Sequence, residues 1–333
     1  MNILVTGAAG YIGSVLTEAL LENGHSVIAL DNLNQGHREA VAPGATFVFA
    51  DLSDSQALDK IFSEFQIDAV MHLVAETSVE ASMTNPGDYF RSNVVYGINL
   101  LDAMLKHNVR KLVFSSTAAV YGNPGKVPIE ESDPTMPVNP YGESKLIFER
   151  ILHWYGRAYG LKFISLRYFN AAGASKQFGR DHHPETLLIP NILKVALGQA
   201  EYMSLFGTDY NTRDGSCIRD YIHVLDIAHA HILALQHLEN SACNKAYNLG
   251  GGNEYTVLEV LEAARDITGT KIPAVIRPRR PGDPVSLMAS SALAQAELGW
   301  QPQHSDLKTI LTSAWNWQKD HPYGYNATSE RSA

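Results

Sequence analysis

Two residues near the middle of the chain have the types and spacing to move a proton. Tyr141 and Lys145 stand four apart in a predicted helix, where positions i and i+4 share one face. A lysine ammonium beside a phenol favours the phenolate and lowers its pKa from about 10. A tyrosine tuned in this way can take a proton from an alcohol. The spacing also recurs by chance, so the pair alone is more typical of a structural role.

Polar residues also close a predicted strand. The apolar run Lys111–Ser115 ends in Ser115 and is followed shortly by Thr117. The carboxyl ends of parallel strands are the edge where open α/β sheets place ligands. Thr117 there could hydrogen-bond a reacting oxygen, although taken alone a cap or turn hydroxyl is the simpler interpretation. Pro140, just before the Tyr–Lys pair, supports a helix start.

Three glycines after the first predicted strand form a dinucleotide-binding pattern. Gly7 permits a tight turn, Gly10 lets the backbone approach a pyrophosphate, and Gly13 lets helix and strand pack closely. The helix N-terminus favours phosphate. Asp31 ends the second predicted strand, 18 residues beyond Gly13. Its carboxylate can accept from both ribose hydroxyls and repels a 2′-phosphate, which favours NAD over NADP.

Apolar runs alternate with helical patterns through the first half of the chain. The predicted strands are Asn2–Thr6, Ser26–Leu30, Thr46–Ala50, Ala69–Val74, Lys111–Ser115 and Phe163–Arg167. The predicted helices are Ser14–Asn23, Leu58–Phe65, Tyr89–His107 and Gly142–Tyr159. This alternation predicts a Rossmann-type α/β fold, a doubly wound parallel sheet covered on both faces.

The second half of the chain is less regular. Glycine, proline, histidine and aspartate become frequent after Asn170, and residues 278–284 form a basic, proline-rich segment. We expect an NAD-binding domain over 1–170, rejoined by about 221–250 through a helix over Tyr221–Leu238 and a strand over Ala246–Leu249. Residues 171–220 and 251–333 are expected to form a smaller α/β domain that binds the substrate.

Composition bounds the possible partners. A chain of 333 residues with 45% hydrophobic residues can bury a sizeable core, and its net charge of -9 argues against nonspecific nucleic-acid binding. Cys217, Cys243, His182 and His183 lack the partners and spacing of a metal or disulfide site, so no metal is expected. The chain enters a strand directly after Met1 and has no long apolar run, which predicts a cytoplasmic protein away from the membrane.

Longer motifs make the chain similar to a known family. GAAGYIGS at Gly7, DNLNQGH at Asp31, FSSTAAVYG at Phe114 and NPYGESK at Asn139 are followed by LRYFNAAGA, FGTDYNTRDGSCIRDYIHV, YNLGGG and RRPGDP. From Met1 to about Trp317 the chain resembles the UDP-glucose 4-epimerase (UDP-galactose 4-epimerase) family of the extended short-chain dehydrogenase/reductase superfamily. The glycines three apart fit that superfamily.

The resemblance implies an NAD-dependent isomerase of galactose metabolism. Such an enzyme interconverts UDP-glucose and UDP-galactose through a transient 4-keto sugar, with NAD regenerated in each cycle. Tyr141 is then the general base and later the acid. Lys145 holds the nicotinamide ribose and, together with the nicotinamide charge, brings the pKa of Tyr141 toward neutrality. Thr117 contacts the reacting hydroxyl.

The resemblance also implies two sets of binding residues. The NAD set is Gly7, Gly10, Tyr11, Ile12, Gly13, Asp31, Asn32, Asp51, Leu52, Leu73, Thr77, Ser115, Tyr141, Lys145 and Tyr168. The UDP-sugar set is Thr117, Asn170, Leu187, Phe206, Arg219, Arg280 and Asp283. Two arginines clamp the diphosphate and Phe206 lines the uracil, whereas weak sugar contacts let the keto sugar turn over. For Asp51 a helix N-cap role is nearly as plausible.

Three positions separate this chain from relatives within the resemblance. Ala118 and Ala119 stand where dehydratases of the superfamily carry an Asp-Glu pair, so elimination of water is disfavoured. Thr77 replaces a lysine that many epimerases place near the cofactor phosphates, which puts tight NAD retention in doubt. Leu287 occupies a gate where a bulky Tyr excludes N-acetylated sugars. Leucine is intermediate, so acceptance of those sugars stays open.

Other functions remain as alternatives. A UDP-N-acetylglucosamine, UDP-xylose or UDP-glucuronate 4-epimerase would use the same catalytic residues. A nonenzymatic regulator that binds a nucleotide sugar or NAD is disfavoured because Tyr141, Lys145 and Thr117 are all present. Wide apolar faces on the predicted helices Tyr89–His107 and Tyr141–Tyr159 match those that form a homodimer interface in the family, although both helices could simply cover the sheet.

Overall fold

Strands and helices alternate along the computed structural model, which describes residues 1–241, 244–280 and 284–325. The strands are β1 (Asn2–Thr6), β2 (Ser26–Asp31), β3 (Thr46–Phe49), β4 (Ala69–His72), β5 (Lys111–Thr117), β6 (Lys162–Tyr168), β7 (Asn170–Ala172), β8 (Met203–Phe206), β9 (Ile218–Arg219), β10 (Tyr221–His223), β11 (Asn244–Leu249), β12 (Tyr255–Thr256), β13 (Ala274–Arg277) and β14 (Ser286–Leu287). The α-helices are α1 (Tyr11–Glu22), α2 (Ser55–Glu64), α3 (Val79–Thr84), α4 (Pro86–Phe90), α5 (Tyr96–Lys106), α6 (Pro140–Tyr159), α7 (Leu188–Ala196), α8 (Val224–Asn240), α9 (Val257–Thr268), α10 (Ala292–Leu298) and α11 (Leu307–Asp320). Two 3-10 turns cover Arg38–Ala40 and Ala118–Tyr121, and a π-helical turn covers Arg91–Val95.

The central sheet is parallel and has seven strands in the order β11-β6-β5-β4-β1-β2-β3. From β1 the chain first builds outward through β2 and β3, and then returns to the other side of β1 with β4. The strand order therefore reverses between β1 and β4, and doubly wound sheets bind ligands at the carboxyl ends of the strands beside such a point. The predicted Rossmann-type sheet is confirmed.

Helices cover both faces of this sheet. On one face α1 and α8 pack against β1 through residues such as Leu16, Leu235 and Ile3. On the other face α2, α5 and α6 form a second core that includes Leu100 and Phe148. Because successive strand residues point to opposite faces, β1 contributes to both cores, which explains why its sequence is continuously apolar.

A third core lies among the elements that follow β6. Side chains of α7, β8, α9 and α11 meet there, including Ile192, Leu205, Leu261 and Ile310. Short strand pairs accompany this core: β10 with β7, β13 with β8, and β9 with both β12 and β14. Between these pieces the chain returns to the central sheet, where β11 pairs with β6 in parallel register. In the described ranges, every helix is too short or too polar to cross a membrane.

Two predicted helices differ from the structure. The single helix expected over Tyr89–His107 is divided into α4, the π-helical turn and α5, and it begins earlier because Pro86 occupies the first helical position. The helix expected from Tyr221 begins only at Val224. Tyr221–His223 instead pairs with β7 as strand β10, and the His223 side chain then caps α8.

Candidate active site

The turn between β1 and α1 requires glycine at two of its three glycine positions. Gly7 has a φ of +76°, a left-handed conformation that favours glycine. A Cβ atom at Gly13 would lie 1.9 Å from the Gly7 carbonyl oxygen, so glycine alone lets the helix start this close to the strand. Gly10 precedes α1, and no side chain caps the helix there. The first N–H groups of α1, including those of Tyr11 and Ile12, can therefore donate to phosphate oxygens.

The Asp31 carboxylate lies beside this turn, at the end of β2. It accepts hydrogen bonds from the N–H groups of Ala9 at 3.0 Å and Leu33 at 2.8 Å, and Asp31 is only 6% exposed. Burial raises the pKa of Asp31, and the bonds from backbone N–H groups partly offset that rise. A glycine turn next to a fixed carboxylate fits the pyrophosphate and the ribose of a dinucleotide.

Three further residues predicted to bind NAD, Asn32, Asp51 and Leu52, follow the adjacent strands β2 and β3. Asn32 donates from Nδ2 to Asp51 at 2.5 Å, and Asp51 also accepts from the Ser53 N–H at 2.7 Å. The alternative helix-cap role for Asp51 is wrong, because Asp54 caps α2 with its side chain. Leu52 is buried in the core shared by α2 and α5, so its side chain packs into the protein interior.

Four more predicted NAD residues lie at or just beyond the carboxyl ends of β4, β5 and β6. After β4, Leu73 is half-buried and Thr77 is exposed. Ser115 in β5 hydrogen-bonds Nε2 of His231 at 3.1 Å, and the ring of Tyr168, at the end of β6, lies 6.4 Å from the imidazole. Burial lowers the pKa of His231 to about 4, so the ring is neutral at pH 7. Sequence reasoning missed His231, because only the return of α8 to the sheet brings it to this site.

Tyr141 and Lys145 lie in the first two turns of α6. Asn139 caps this helix by accepting a hydrogen bond from the Gly142 N–H at 2.8 Å. A Cβ atom at Gly142 would lie 2.5 Å from the Ala119 carbonyl oxygen. Glycine at this position therefore lets the helix that carries the Tyr–Lys pair sit directly against the 3-10 turn that follows β5.

Thr117 ends β5 and meets Tyr141 across this contact. Its Oγ1 accepts a hydrogen bond from the Ala119 N–H at 3.1 Å. Burial raises the pKa of Tyr141, and a side-chain hydrogen bond with Thr117 lowers it in part. Burial therefore opposes the shift toward neutrality that the sequence predicts, whereas the contact between the two hydroxyls agrees with a shared role.

Lys145 is buried beneath the same strand end. Its Nζ donates to the Ser115 carbonyl at 2.8 Å and lies 4.8 Å from the centre of the Phe114 ring. Burial lowers the pKa of Lys145 to about 7, and the charge of Glu149 counteracts that shift. The amine is thus held at the carboxyl end of β5, where it titrates close to neutral pH.

Two predicted substrate residues stack on each other in the second part of the chain. The guanidinium carbon of Arg280 lies 3.9 Å from the centre of the Phe206 ring, a distance at which cation and ring attract. Arg219, in β9, donates to the Pro284 carbonyl at 2.9 Å. Arg280 belongs to the proline-rich segment 278–284 and Arg219 contacts Pro284 at its end, whereas Asp283 lies outside the described residues.

The other substrate residues lie on separate elements. Asn170 begins β7 and donates from Nδ2 to the Asp220 carbonyl at 2.7 Å. Leu187 precedes α7 and is 40% exposed. Leu287 in β14 is half-buried against a small core that includes Ala118, so the proposed gate lies beside the 3-10 turn of the catalytic region.

Comparison with known proteins agrees with this geometry. Residues 3–250 match the NAD dependent epimerase/dehydratase family. A UDP-glucose 4-epimerase from Halalkalibacterium halodurans is 53% identical over 332 residues, which cover 99% of each chain. A crystal structure of a UDP-glucose 4-epimerase matches with a TM-score of 0.96 and 47% identity, covering 98% of this chain and 99% of the other. The crystal structure of the UDP-glucose 4-epimerase of Brucella ovis in complex with NAD matches with a TM-score of 0.93 and 42% identity, covering 95% of this chain and 98% of the other.

The parallel sheet, the glycine turn and Asp31 define a dinucleotide-binding protein that carries a Tyr–Lys pair. With these matches, the chain belongs to the NAD dependent epimerase/dehydratase family, and NAD is its cofactor. The resemblance predicted from the motifs is confirmed over nearly the whole length of the chain.

Proposed function

We propose that this chain is an NAD-dependent 4-epimerase that interconverts UDP-glucose and UDP-galactose through a 4-keto sugar. The observation that carries the proposal is the Tyr141–Lys145 pair on α6, with Lys145 buried and bonded to the carboxyl end of β5, the strand that ends in Thr117. The name shared by relatives at about half identity over the full chain supports the substrate.

Each catalytic side chain then has a defined task. The Tyr141 oxygen takes the proton of the sugar 4-hydroxyl as C4 becomes a carbonyl, and later returns it. Thr117 hydrogen-bonds the same oxygen and holds it toward Tyr141. Lys145 stabilises the phenolate by its charge and would bind the nicotinamide ribose. Bound NAD supplies the hydride acceptor and then the hydride donor, so the net reaction is an isomerisation.

The residues after Thr117 favour epimerisation over loss of water. Ala118 and Ala119 form the start of the 3-10 turn that contacts α6. Neither side chain can protonate a leaving hydroxyl or remove a proton from carbon. The carbonyl formed at C4 can therefore only be reduced again, on the same or the opposite face.

Binding of the nucleotide is assigned to the second part of the chain. We propose that Arg219 and Arg280 hold the diphosphate, since an arginine fork matches phosphate oxygens. Phe206, already stacked against Arg280, would line the uracil. Asn170 would contact the diphosphate or the sugar. Leu187 would border the sugar, where few strong contacts let the keto intermediate rotate. Asp283 completes the set as a contact to the ribose or the uracil.

The proposed organisation has two domains and two copies. Residues 1–170 with 221–250 would hold NAD, and 171–220 with 251–333 would hold the UDP-sugar. Val95 beside α5 and Trp154 on α6 expose about half or more of their surface, at 50% and 64%. We propose that this face pairs with its copy in a homodimer, in the cytoplasm.

Conversion of UDP-galactose by the purified protein tests the function. Quenched samples with added NAD are analysed by NMR for UDP-glucose, for the wild type and for Tyr141→Phe. We expect conversion by the wild type and a loss of at least about a hundredfold in the variant. Tyr155→Phe is the matched control, because Tyr155 lies on the same helix and its hydroxyl bonds Asp102 at the surface.

The same assay decides between the alternatives. No conversion of UDP-galactose would overturn the proposed substrate, and UDP-N-acetylglucosamine, UDP-xylose and UDP-glucuronate would then be tested in turn. Failure with all four sugars, although NAD binds, would favour the nonenzymatic regulator. Full activity of Tyr141→Phe would remove Tyr141 from the mechanism.

A further inference from the structure

A cluster outside the catalytic centre joins three distant segments of the chain. The Asp181 side chain, in the loop between β7 and α7, is only 6% exposed. Its Oδ2 lies 3.2 Å from Nε2 of His37 and accepts a hydrogen bond from the Tyr325 N–H at 3.0 Å. Its Oδ1 lies 3.0 Å from Nε2 of His183. One carboxylate therefore holds the segment after β2, its own loop and the chain beyond α11.

The His37 end of this cluster leads directly to the site of the cofactor. The backbone N–H of His37 donates to the Ala9 carbonyl at 3.1 Å, and the Ala9 N–H donates to Asp31 at 3.0 Å. A Cβ atom at Gly36 would lie 2.9 Å from atoms of Ala9, so this segment rests closely on the glycine turn. A continuous series of polar contacts thus runs from Asp181 to the carboxylate expected to bind the adenosine ribose.

At the other end of the cluster, the C-terminal residues Gly324 and Tyr325 pack closely against Asp181. Gly324 has a φ of +71°, and a Cβ atom there would lie 1.9 Å from Oδ2 of Asp181. The Tyr325 hydroxyl both accepts from the N–H and donates to the carbonyl of Gly179, each at 3.1 Å. The Tyr325 ring packs 5.3 Å from the rings of His37 and Trp317. The C-terminal segment is therefore seated through backbone and side chain together.

We propose that His37, Asp181, His183, Gly324 and Tyr325 form a C-terminal clasp that holds NAD in the protein, with Asp181 as its central positioning residue. The clasp rests on the proposed function, because it assumes that NAD binds at Asp31. Opening of the segment after β2 must break the contact of His37 with Asp181. The clasp thereby slows the release of NAD.

Gly324→Ala tests the clasp without changing any charged residue. The added methyl group collides with Asp181 and displaces the C-terminal segment. The matched control is Gly198→Ala: Gly198 has a similar φ of +75°, but a Cβ atom there meets nothing within 4 Å. Both variants carry the same backbone strain, so a difference between them reports the clasp alone.

Release of NAD is the direct measurement. Protein loaded with NAD is mixed with an NAD glycohydrolase, which destroys free NAD, and the NAD still bound is quantified over time. We expect Gly324→Ala to release NAD about tenfold faster than the wild type, which corresponds to about 1.4 kcal/mol. Gly198→Ala should stay within about twofold. Because the clasp lies away from Tyr141, kcat of Gly324→Ala at saturating NAD should stay close to that of the wild type.

A second variant covers the case in which Gly324→Ala does not fold. His37→Ala removes the imidazole that contacts Asp181 but keeps the backbone bond to Ala9, and it should also release NAD faster. In the double variant the two effects should not add, because both break the same contact. Equal release by wild type and variants would overturn the clasp while leaving the proposed function intact. A wild type that cannot be loaded with NAD would overturn both.

Discussion

The carboxylate of Glu149 and the guanidinium of Arg167 form a buried two-point ion pair between α6 and β6. Nε of Arg167 donates to Oε1 at 2.9 Å, and Nη2 donates to Oε2 at 2.5 Å. Ser116 Oγ also donates to Oε1 of Glu149, at 2.5 Å. Glu149 lies on the same helix face as Tyr141 and Lys145. The ion pair therefore holds this helix against β6, and the Ser116 bond holds it against β5, the strand that ends in Thr117.

Loss of one member of this pair is expected to destabilise the fold strongly. In Arg167→Leu the carboxylate of Glu149 stays buried without its partner, which costs about 3–5 kcal/mol. The double variant Glu149→Leu with Arg167→Leu should recover part of that loss, because no unpaired charge remains. Denaturant unfolding of the three proteins measures the difference.

An exposed pair provides the control for this prediction. Lys60 and Glu64 lie four apart on α2 at 3.6 Å, both well exposed. Lys60→Ala should change the free energy of unfolding by less than about 1 kcal/mol. A similar small effect of Arg167→Leu would contradict the assigned role of the buried pair.

The buried imidazole of His72 is expected to make the protein sensitive to acid. Burial, helped by the charge of Lys145, lowers the pKa of His72 to about 3. In the unfolded chain the pKa of a histidine is about 6.5. Between these values the unfolded state binds a proton that the folded state does not, so this contribution to stability is lost as the pH falls below about 6.5. The slope reaches about 1.4 kcal/mol per pH unit.

The measurement that tests His72 is the slope of the free energy of unfolding against pH, not the absolute stability. His72→Gln should flatten the loss of unfolding free energy between about pH 6.5 and about pH 5. The exposed His229 on α8 offers the control, since His229→Gln should keep the wild-type slope. Identical slopes for all three proteins would show that His72 is not kept neutral by the fold.

Thr117 is expected to act through its hydroxyl on the reacting oxygen. Thr117→Val removes that hydrogen bond and should lower kcat by about a hundredfold. The same change removes the bond from the Ala119 N–H and costs about 1 kcal/mol of stability. Thr117→Ser keeps both bonds and should retain kcat and the unfolding midpoint. A normal kcat of Thr117→Val would contradict the catalytic role of the Thr117 hydroxyl. The hydroxyl would then serve only to accept the bond from the Ala119 N–H.

Local patterns were enough to predict the elements that carry the cofactor and the Tyr–Lys pair. The strand Asn2–Thr6 matches β1, and the glycine turn follows it as expected. These features depend on residues close together in sequence: periodicity, a turn that needs glycine, and a helix cap. For the same reason the sequence predicts that Tyr141 and Lys145 lie on one helix, as they do in α6.

Contacts between distant segments were not predictable in this way. Glu149 and Arg167 are each ordinary helix and strand residues until α6 packs on β6. His231 reaches Ser115 only because α8 returns to the sheet. The pKa of Tyr141 rises because of burial, which no local spacing reports. Sequence therefore predicts which side chains react, whereas their electrostatic surroundings depend on the tertiary structure.

The size of residue 287 is expected to set the range of sugars. Leu287 is half-buried beside Ala118, next to the turn that follows Thr117. Leu287→Ala enlarges this region, and Leu287→Tyr fills it. One extra or missing methylene group in an apolar pocket changes discrimination by about 10- to 200-fold. The ratio of kcat/KM for UDP-N-acetylglucosamine to that for UDP-glucose should therefore rise in the alanine variant and fall in the tyrosine variant.

Val285 offers a matched control for this prediction. It is 42% exposed and lies two residues before Leu287, so Val285→Ala removes a branched side chain without changing the region around Ala118. Its ratio of kcat/KM values should equal that of the wild type. If the alanine and tyrosine variants of Leu287 discriminate alike, residue 287 does not border the sugar.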